Sequence, residues 1–262
     1  MNIVLFLREE MEKTLPLKDD RAKHILKVLH KQTGDSFDAG IINGEAGRAE
    51  ITAITDEGIS FDFLPQSDGK PLYPITLIIG FPRPIQLKRL FRDVAGLGAS
   101  RLCLCGTELG EKSYMDSNIV ERGAAYAALV DGSAQAKSTH IPELQLFPSV
   151  KACLSELFPA KECTGSSAAL CTADTDIRVM LDNVKPESTL FGHMQKSIPK
   201  NAPTSAIMTY AAIGSERGWT DNERSLFAEA GFASCSMGIR VLRTETAATV
   251  AMSLILQSMG LL

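Results

Sequence analysis

Two short segments near the carboxyl end of the chain combine glycine with charged residues in a way that suits ligand binding. The first, Ala212–Trp219, has the sequence AIGSERGW and places Gly214, Glu216 and Gly218 directly after an apolar stretch. Glycines at the end of a strand let the backbone approach a ligand closely. In open α/β sheets, ligands bind outside the carboxyl ends of the strands. The segment therefore predicts either a binding loop or a tight turn.

The second segment, Ser236–Ala247, has the sequence SMGIRVLRTETA. Gly238 follows a short candidate strand, Arg240 and Arg243 flank two apolar residues, and Glu245 opens an apolar helix. A well-capped strand, turn and helix would account for the threonines. It would not account for two arginines and a glutamate within so short a stretch. These charges mark the segment as a second candidate site.

The elements that must position these segments fall into two regions. Residues 1–70 contain short alternating strands with tight turns, which predict a small β-barrel that includes one helix. Residues 65–74 are polar and rich in Pro and Gly, as in a linker. From residue 74 to residue 262, strands and helices alternate, which predicts a mostly parallel sheet covered on both faces. The predicted strands are Asn2–Leu7, Ser36–Ile42, Ala46–Ile54, Gly58–Leu64, Ile75–Gly80, Arg101–Cys105, Ser167–Thr172, Ser188–Gly192, Thr204–Ile213 and Ala233–Met237, and the predicted helices are Leu17–Val28, Ile85–Ala95, Asn118–Ala134, Asp221–Ala230 and Thr246–Met259.

Composition limits the class of protein. The chain has 262 residues, 45% of them hydrophobic and 22% charged, with a net charge of −4, as in an ordinary globular protein. Because the chain is not basic overall, any contact with nucleic acid must come from local patches. The six cysteines include no CxxC pair. Buried thiols are therefore expected rather than a metal site. With no apolar run of membrane-spanning length and no signal peptide, we expect a cytoplasmic protein that does not bind membranes.

Together, the two segments resemble the signature pair of the 16S rRNA uracil-N3 methyltransferase family, in the SPOUT superfamily. Members of that family have an IGPEGGW-like loop followed by an LGxRILRTETA-like loop. Here these correspond to Ile213–Trp219 and Met237–Ala247. The segment His24–Leu29 followed by Gly34–Asp35 is similar to the family's HLxxVLR…GD stretch. The resemblance covers nearly the whole chain.

This resemblance implies an α/β fold with a SPOUT-type trefoil-knotted methyltransferase domain over residues 74–262. It also implies a PUA-like β-barrel that binds RNA over residues 1–70. The implied cofactor is S-adenosyl-L-methionine, in a cleft of three loops, with no metal. The implied partners are ribosomal RNA or the small ribosomal subunit and a second copy of the chain. The implied cofactor-binding residues are Gly192, Ile213, Gly214, Gly218, Met237, Gly238, Leu242, Arg243, Thr244 and Thr246.

The resemblance also implies a reaction. Methylation at N3 of a uracil requires loss of the N3 proton, and the negative charge spreads onto the flanking carbonyl oxygens. A positioned arginine stabilises such charge as it develops, and Arg243 is the candidate. Glu216 or Glu245 could orient that arginine or act as the base. The sequence does not decide between these two roles.

Several positions differ from the family pattern. Ser215 and Arg217 replace a proline and a glycine, Ile239 replaces a proline, and several RNA-facing positions lose positive or polar groups. Because phosphate contacts dominate affinity for nucleic acid, such losses weaken RNA binding unless another basic patch replaces them. The function therefore remains open between a 16S uridine-N3 methyltransferase, a methyltransferase for another RNA, and a non-catalytic RNA-binding ribosome-assembly protein. The candidates for a shifted basic patch are Lys27, Lys31, Arg83, Lys88, Arg89, Arg92, Lys112 and Lys137.

Overall fold

A computed structural model of the chain describes residues 2–115, 123–159, 176–199 and 206–262. The chain divides into two compact units. The first consists of Met1–Leu72 and Leu129–Ile141, and the second of Tyr73–Ala128 and Pro142–Leu262. The change at Tyr73 lies inside the predicted linker. No feature of the sequence indicated that the later segment, Leu129–Ile141, belongs with the first unit.

The first unit is built on a five-stranded sheet with the order β1-β3-β4-β5-β2. Strand β1 is parallel to β3, and the other pairs are antiparallel. Alternating side chains bury one face, where the rings of Phe6 and Phe37 pack against Phe61 with centroid distances of 4.9 and 5.8 Å. The strands are β1 (Val4–Phe6), β2 (Leu15–Pro16), β3 (Ser36–Ile41), β4 (Ala46–Ile54) and β5 (Gly58–Ser67).

The predicted helix over Leu17–Val28 is shorter than expected and changes its winding. Helix α1 (Asp20–Lys23) begins where Asp19 accepts the backbone N–H of Arg21, and a π-helical turn, His24–Val28, follows it. Ala22, Ile25 and Leu26 face the core, whereas Leu29, which continues the helical spacing, is exposed.

Segment 129–141 is attached to this first unit by hydrogen bonds. The hydroxyl of Thr139 donates to the carbonyl of Gly44 at 2.6 Å, and the N–H of Asn43 donates to the carbonyl of Thr139 at 2.8 Å. Nζ of Lys137 lies 2.7 Å from Oδ2 of Asp38, so this candidate basic-patch residue forms a salt bridge with an acidic residue.

The second unit contains a seven-stranded sheet with the order β10-β12-β9-β11-β6-β7-β8. Every pair of neighbouring strands in it is parallel. The carboxyl ends of all the strands therefore lie along one edge, and this arrangement determines where a site can form. The strands are β6 (Tyr73–Gly80), β7 (Ala99–Cys105), β8 (Glu143–Phe147), β9 (Ile177–Leu181), β10 (Ser188–Thr189), β11 (Thr209–Ile213) and β12 (Ala233–Ser236).

Helices cover both faces of this sheet. Helices α4 and α6 pack over the face formed by Ile78, Cys103 and Ala212. Helices α2 (Pro84–Gly96) and α5 (Leu190–Ser197) pack against α7 (Thr244–Ser258), which contacts β11. These three helices cover the opposite face of the sheet, where Leu77 and Ile79 are buried. Among the described residues, no helix is both long and apolar enough to span a bilayer. The helices are α2 (Pro84–Gly96), α3 (Ala124–Gln135), α4 (Val150–Leu157), α5 (Leu190–Ser197), α6 (Asp221–Glu229) and α7 (Thr244–Ser258).

One strand prediction near the site is wrong in part. The predicted strand Ser188–Gly192 ends at Thr189, because the Thr189 hydroxyl accepts the N–H of Gly192 at 3.1 Å and starts helix α5. Gly192 therefore lies on the first turn of a helix instead of at a strand end. Strands β8 and β9 and helix α4 were not predicted. The predicted strand Ser167–Thr172 lies outside the described residues.

The prediction of buried thiols is confirmed for four cysteines. Cys103, Cys105, Cys153 and Cys235 are all free and buried. Burial raises the pKa of the Cys105 thiol far above its usual range, so the thiol stays protonated. Cys163 and Cys171 lie outside the described residues.

Candidate functional site

The candidate site lies at the carboxyl edge of the parallel sheet. Strands β12, β9, β11 and β6 are neighbours in that order. The segments that follow them, residues 237–243, 182–187, 214–219 and 81–83, therefore emerge side by side. Two of the four are the segments that the sequence singled out.

The first segment forms a tight turn. Ser215 and Gly218 form an antiparallel bridge, and the N–H of Gly218 donates to the carbonyl of Ser215 at 2.9 Å. A Cβ added to Gly214 would lie 2.9 Å from the Cα of Gly218, closer than real Cβ contacts allow. The turn therefore requires glycine at position 214. This agrees with both structures that the sequence allowed for the segment, a binding loop and a tight turn.

Neighbouring loops hold this turn in place through its polar side chains. The backbone N–H of Arg83, just before helix α2, donates to Oε1 of Glu216 at 3.0 Å, and the Arg83 guanidinium lies 4.0 Å from the same oxygen. The hydroxyl of Thr107, which follows β7, donates to Oγ of Ser215 at 3.2 Å. Ser215 is buried, so the serine that replaces the family proline has a defined partner.

The end of strand β9 is fixed to the same turn. The indole N–H of Trp219 donates to the carbonyl of Leu181 at 3.2 Å. The next residue, Asp182, is buried and accepts a hydrogen bond from Nε of Arg224 at 2.8 Å, together with two backbone N–H groups from its own loop. Burial alone would raise the pKa of Asp182, but the bonds from Arg224 and the backbone outweigh it and lower that pKa. The loop after β9 is thus held by a charged pair.

The two signature segments meet directly. The hydroxyl of Thr244, the first residue of helix α7, donates to the carbonyl of Gly214 at 3.2 Å. The Thr244 residue is only 3% exposed, so water cannot easily replace this bond. Arg243 occupies the N-cap position of α7, and its carbonyl accepts the N–H of Ala247 at 2.8 Å.

The loop between β12 and α7 presents an open surface. Gly238 has a φ of +115° and open space beside it, a backbone conformation that side chains with a Cβ rarely adopt. Ile239 and Val241 are largely exposed, at 102% and 83%, while Met237 and Leu242 are partly buried. Arg243 is exposed and forms no ion pair with the described residues. The loop therefore combines apolar and cationic groups beside the Gly214 turn.

Glu245 differs from the other carboxylates of the site. The residue is 4% exposed, and its Oε2 is sealed from solvent without a hydrogen-bond donor among the described residues. Oε1 of Gln86, on helix α2, is likewise buried without a donor. Burying a charged or polar group without a partner is unfavourable, so these acceptors need an explanation.

The structure brings most of the predicted site residues to one edge, because Ile213, Gly214, Glu216 and Gly218 adjoin the loop from Met237 to Glu245. Gly192 lies instead on helix α5, and Thr246 is exposed on α7. The sequence did not single out Thr107 or Asp182 for the site and offered Arg83 only as a basic-patch candidate, although each of the three follows the end of a buried strand by one to three residues.

The chain matches known RNA methyltransferases over most of its length. A family model described as an RNA methyltransferase domain matches residues 68–256, and one described as an RNA methyltransferase PUA domain matches residues 17–64. Ribosomal RNA small subunit methyltransferase E from Treponema pallidum is 40% identical over 261 residues, which is 98% of this chain and 91% of that protein. The chain belongs to the ribosomal RNA small subunit methyltransferase E family.

A second relative in the methyltransferase E family, from Borreliella burgdorferi, is 28% identical and covers 98% of both chains. The crystal structure of ribosomal RNA small subunit methyltransferase E from Neisseria gonorrhoeae, bound to S-adenosyl methionine, has the same fold. It has a TM-score of 0.70 and 18% identity, and it covers 98% of this chain and 97% of that one. The predicted fold class, an α/β methyltransferase domain with a PUA domain before it, is therefore confirmed.

Proposed function

We propose that this chain is an S-adenosylmethionine-dependent methyltransferase that acts on N3 of a uridine in 16S ribosomal RNA. Family membership supports the enzyme class. The observation on which the site assignment depends is the Thr244–Gly214 hydrogen bond, because it joins the two signature loops at the edge where α/β sheets bind ligands.

The residues present fit the proposed cofactor. Gly238 and Gly218 leave open space beside the backbone, and Met237 and Leu242 offer partly buried apolar surface. The buried Oε2 of Glu245 lacks a donor that a ligand could supply. A few fixed polar groups within apolar walls are typical of cofactor sites. The residues proposed to hold the cofactor are Gly192, Ile213, Gly214, Gly218, Met237, Gly238, Leu242, Arg243, Thr244 and Thr246.

When bound, S-adenosylmethionine supplies a methyl group attached to a positively charged sulfur. The protein must then stabilise a uracil that has lost its N3 proton. We assign this to Arg243, whose guanidinium is exposed beside the cofactor loop and can donate to a uracil carbonyl oxygen. Glu216 is also exposed, so it is the carboxylate to which we assign the N3 proton, whereas Glu245 is buried and is not assigned this role.

Three further features belong to this proposal. Binding of ribosomal RNA or the small subunit is assigned to the PUA unit together with exposed cations such as Lys88 on α2. A cytoplasmic location and a homodimer are also part of the proposal, and the dimer is supported by the exposed apolar side chains of Ile239 and Val241, which a second copy could cover. A trefoil knot is supported by the strand order, because the chain crosses from β11 past β9 to β12 and returns through α7 to β11.

The proposal can be tested by measuring cofactor binding and methyl transfer separately. Calorimetry with S-adenosylmethionine should detect binding to the wild-type protein and to Arg243→Ala. Methyl transfer to small-subunit RNA should fall roughly 100-fold or more in Arg243→Ala, because it lacks the donor to the developing charge. Glu216→Gln should lose transfer in the same way.

The position of the methyl group distinguishes the three functions that the sequence left open. Mapping of modified bases with and without the gene should reveal one 16S uridine that loses its N3-methyl group. A methylated base in another RNA would refute the target. Cofactor binding without transfer to any RNA would refute the enzyme assignment and favour an assembly protein.

A further inference from the structure

One carboxylate oxygen of Glu245, Oε2, is buried without a hydrogen-bond donor among the described residues. Glu245 lies on the first turn of α7, one residue after the hydroxyl that bonds Gly214. The residue is 4% exposed, and Oε2 meets neither solvent nor a hydrogen-bond donor among the described residues. The backbone dipole at the start of a helix favours a negative charge there but does not replace a missing hydrogen bond.

Among the described residues, the neighbouring helix α2 donates no hydrogen bond to Oε2 of Glu245. Helix α2 packs against α7, and its Gln86 also has a buried carbonyl oxygen without a donor. The described residues around this part of the site therefore provide unmet acceptors. A ligand that satisfied Glu245 would need both an N–H or O–H donor and a positive charge, because a buried carboxylate is stabilised best by a cation that hydrogen-bonds to it.

S-adenosylmethionine offers donors and positive charge at different places. Its sulfonium is cationic but has no hydrogen to donate, while its adenine amine and ribose hydroxyls donate but are neutral. Its α-ammonium group has both properties. We propose that Glu245 binds the α-ammonium group of the cofactor and thereby selects ligands that retain the amino-acid end. This inference rests on the proposed function, since it assumes that the cofactor occupies this edge of the sheet.

The assignment makes a prediction about three ligands that share the adenosine part. S-adenosylmethionine and S-adenosylhomocysteine both have the α-ammonium group, and 5′-methylthioadenosine lacks it. Calorimetry should show that Glu245→Gln weakens the binding of the first two ligands by a similar factor, roughly 10-fold or more. Binding of 5′-methylthioadenosine should stay within about twofold of the wild-type value. Glu229→Gln, which removes an exposed carboxylate at the end of α6, is the matched control and should change none of the three.

The stability of the free variant provides a second measurement. If Glu245 is reserved for a ligand, replacing its unpaired charge by an amide should leave the unfolding temperature of the free protein unchanged or raise it. A lower unfolding temperature would show that the carboxylate stabilises the fold itself, which would overturn the proposal. The proposal is also overturned if Glu245→Gln weakens the binding of all three ligands or of none. Weaker binding of S-adenosylmethionine alone would overturn it too, because that pattern would show that Glu245 interacts with the sulfonium. Failure of the wild-type protein to bind S-adenosylmethionine would refute the proposed function as well, so the two failures are distinguishable.

Discussion

The hydrogen bond between Thr244 and Gly214 should control how well the site is ordered for its cofactor. Thr244→Val keeps the shape of the side chain and removes the hydroxyl that donates at 3.2 Å. Because Thr244 is 3% exposed, water cannot easily take its place, and the carbonyl of Gly214 is left without this partner. Loss of such a bond, together with the unmet carbonyl, amounts to about 1–3 kcal/mol.

This energy can be converted into an expected change in affinity. If the bond holds the two loops in their binding arrangement, its loss lets them adopt others, and the apparent dissociation constant rises as the competent fraction falls. An energy of 1–3 kcal/mol then corresponds to a weakening of roughly 5- to 150-fold. Calorimetric titration of Thr244→Val with S-adenosylmethionine measures the change directly, and thermal unfolding of the same variant measures the loss of stability.

Thr249→Val provides the control for the loss of a threonine hydroxyl on the same helix. The Thr249 hydroxyl donates at 3.0 Å to the carbonyl of Glu245 within α7, and does not join two loops. Its removal should leave cofactor affinity within about twofold of wild type. Affinity of Thr244→Val within that same margin, or an equal loss in both variants, would refute the idea that the bond between the loops organises the site.

Two further outcomes follow from the loops on either side of this bond. Asp182→Asn should destabilise the protein by about 2–3 kcal/mol near neutral pH, because Arg224 loses its buried partner. The folded-state pKa of Asp182 lies below its ordinary value of 3.8. The difference in free energy of unfolding between the wild type and Asp182→Asn should therefore be complete above about pH 5 and should shrink as the pH falls below 4. Denaturant unfolding from pH 3 to 7 measures this difference. A difference that stays constant down to pH 3 would contradict this. Gly214→Ala should lower the free energy of unfolding by about 1–3 kcal/mol and weaken cofactor binding, because its Cβ would lie 2.9 Å from the backbone of Gly218. A variant with the wild-type unfolding temperature and affinity would show that the turn can shift freely.

The sequence predicted those parts of the fold whose pattern is local. The strands of the first unit from Ser36 onward alternate clearly and end at glycine or asparagine turns, and they lie where expected. Helix α6 was predicted within one residue, because Thr220 and Glu223 form a capping box that the sequence displays. In such cases neighbouring residues alone decide the structure.

Other elements depend on partners far away in the chain. Strand β9 is short and includes Arg178, yet it lies between β11 and β12, paired along its whole length with β11 and over Val179–Leu181 with β12. Strand β8, with the sequence ELQLF, alternates polar and apolar residues, but it is short and lies at an edge of the sheet, where none of its residues is fully buried. The strand that begins at Ser188 is shorter than predicted, because the Thr189 hydroxyl caps the helix that follows it. Tertiary contacts outweigh local propensity at these places.

The candidate site shows the same division. The glycine turn and the arginine-rich loop were recognised because their residue types are unusual for a plain turn. The sequence could not reveal that Glu216 accepts a hydrogen bond from the Arg83 backbone, or that Glu245 is buried. Both features depend on which loops the sheet order brings together. The distinction between an accessible and a sealed carboxylate is therefore a product of the fold.

The position of the sheet's central pairing also affects how the protein is made. Ile75 in β6 pairs with Thr209 in β11, and the hydroxyl that joins the two loops belongs to the first residue of the last helix. A chain that emerges from the ribosome amino end first can form the first unit's sheet early, but its parallel sheet must wait for nearly the whole sequence. Until then, the apolar faces of β6 and β7 have no final partners. The nascent second unit should therefore depend on chaperones, and a product truncated before α7 should not bind the cofactor.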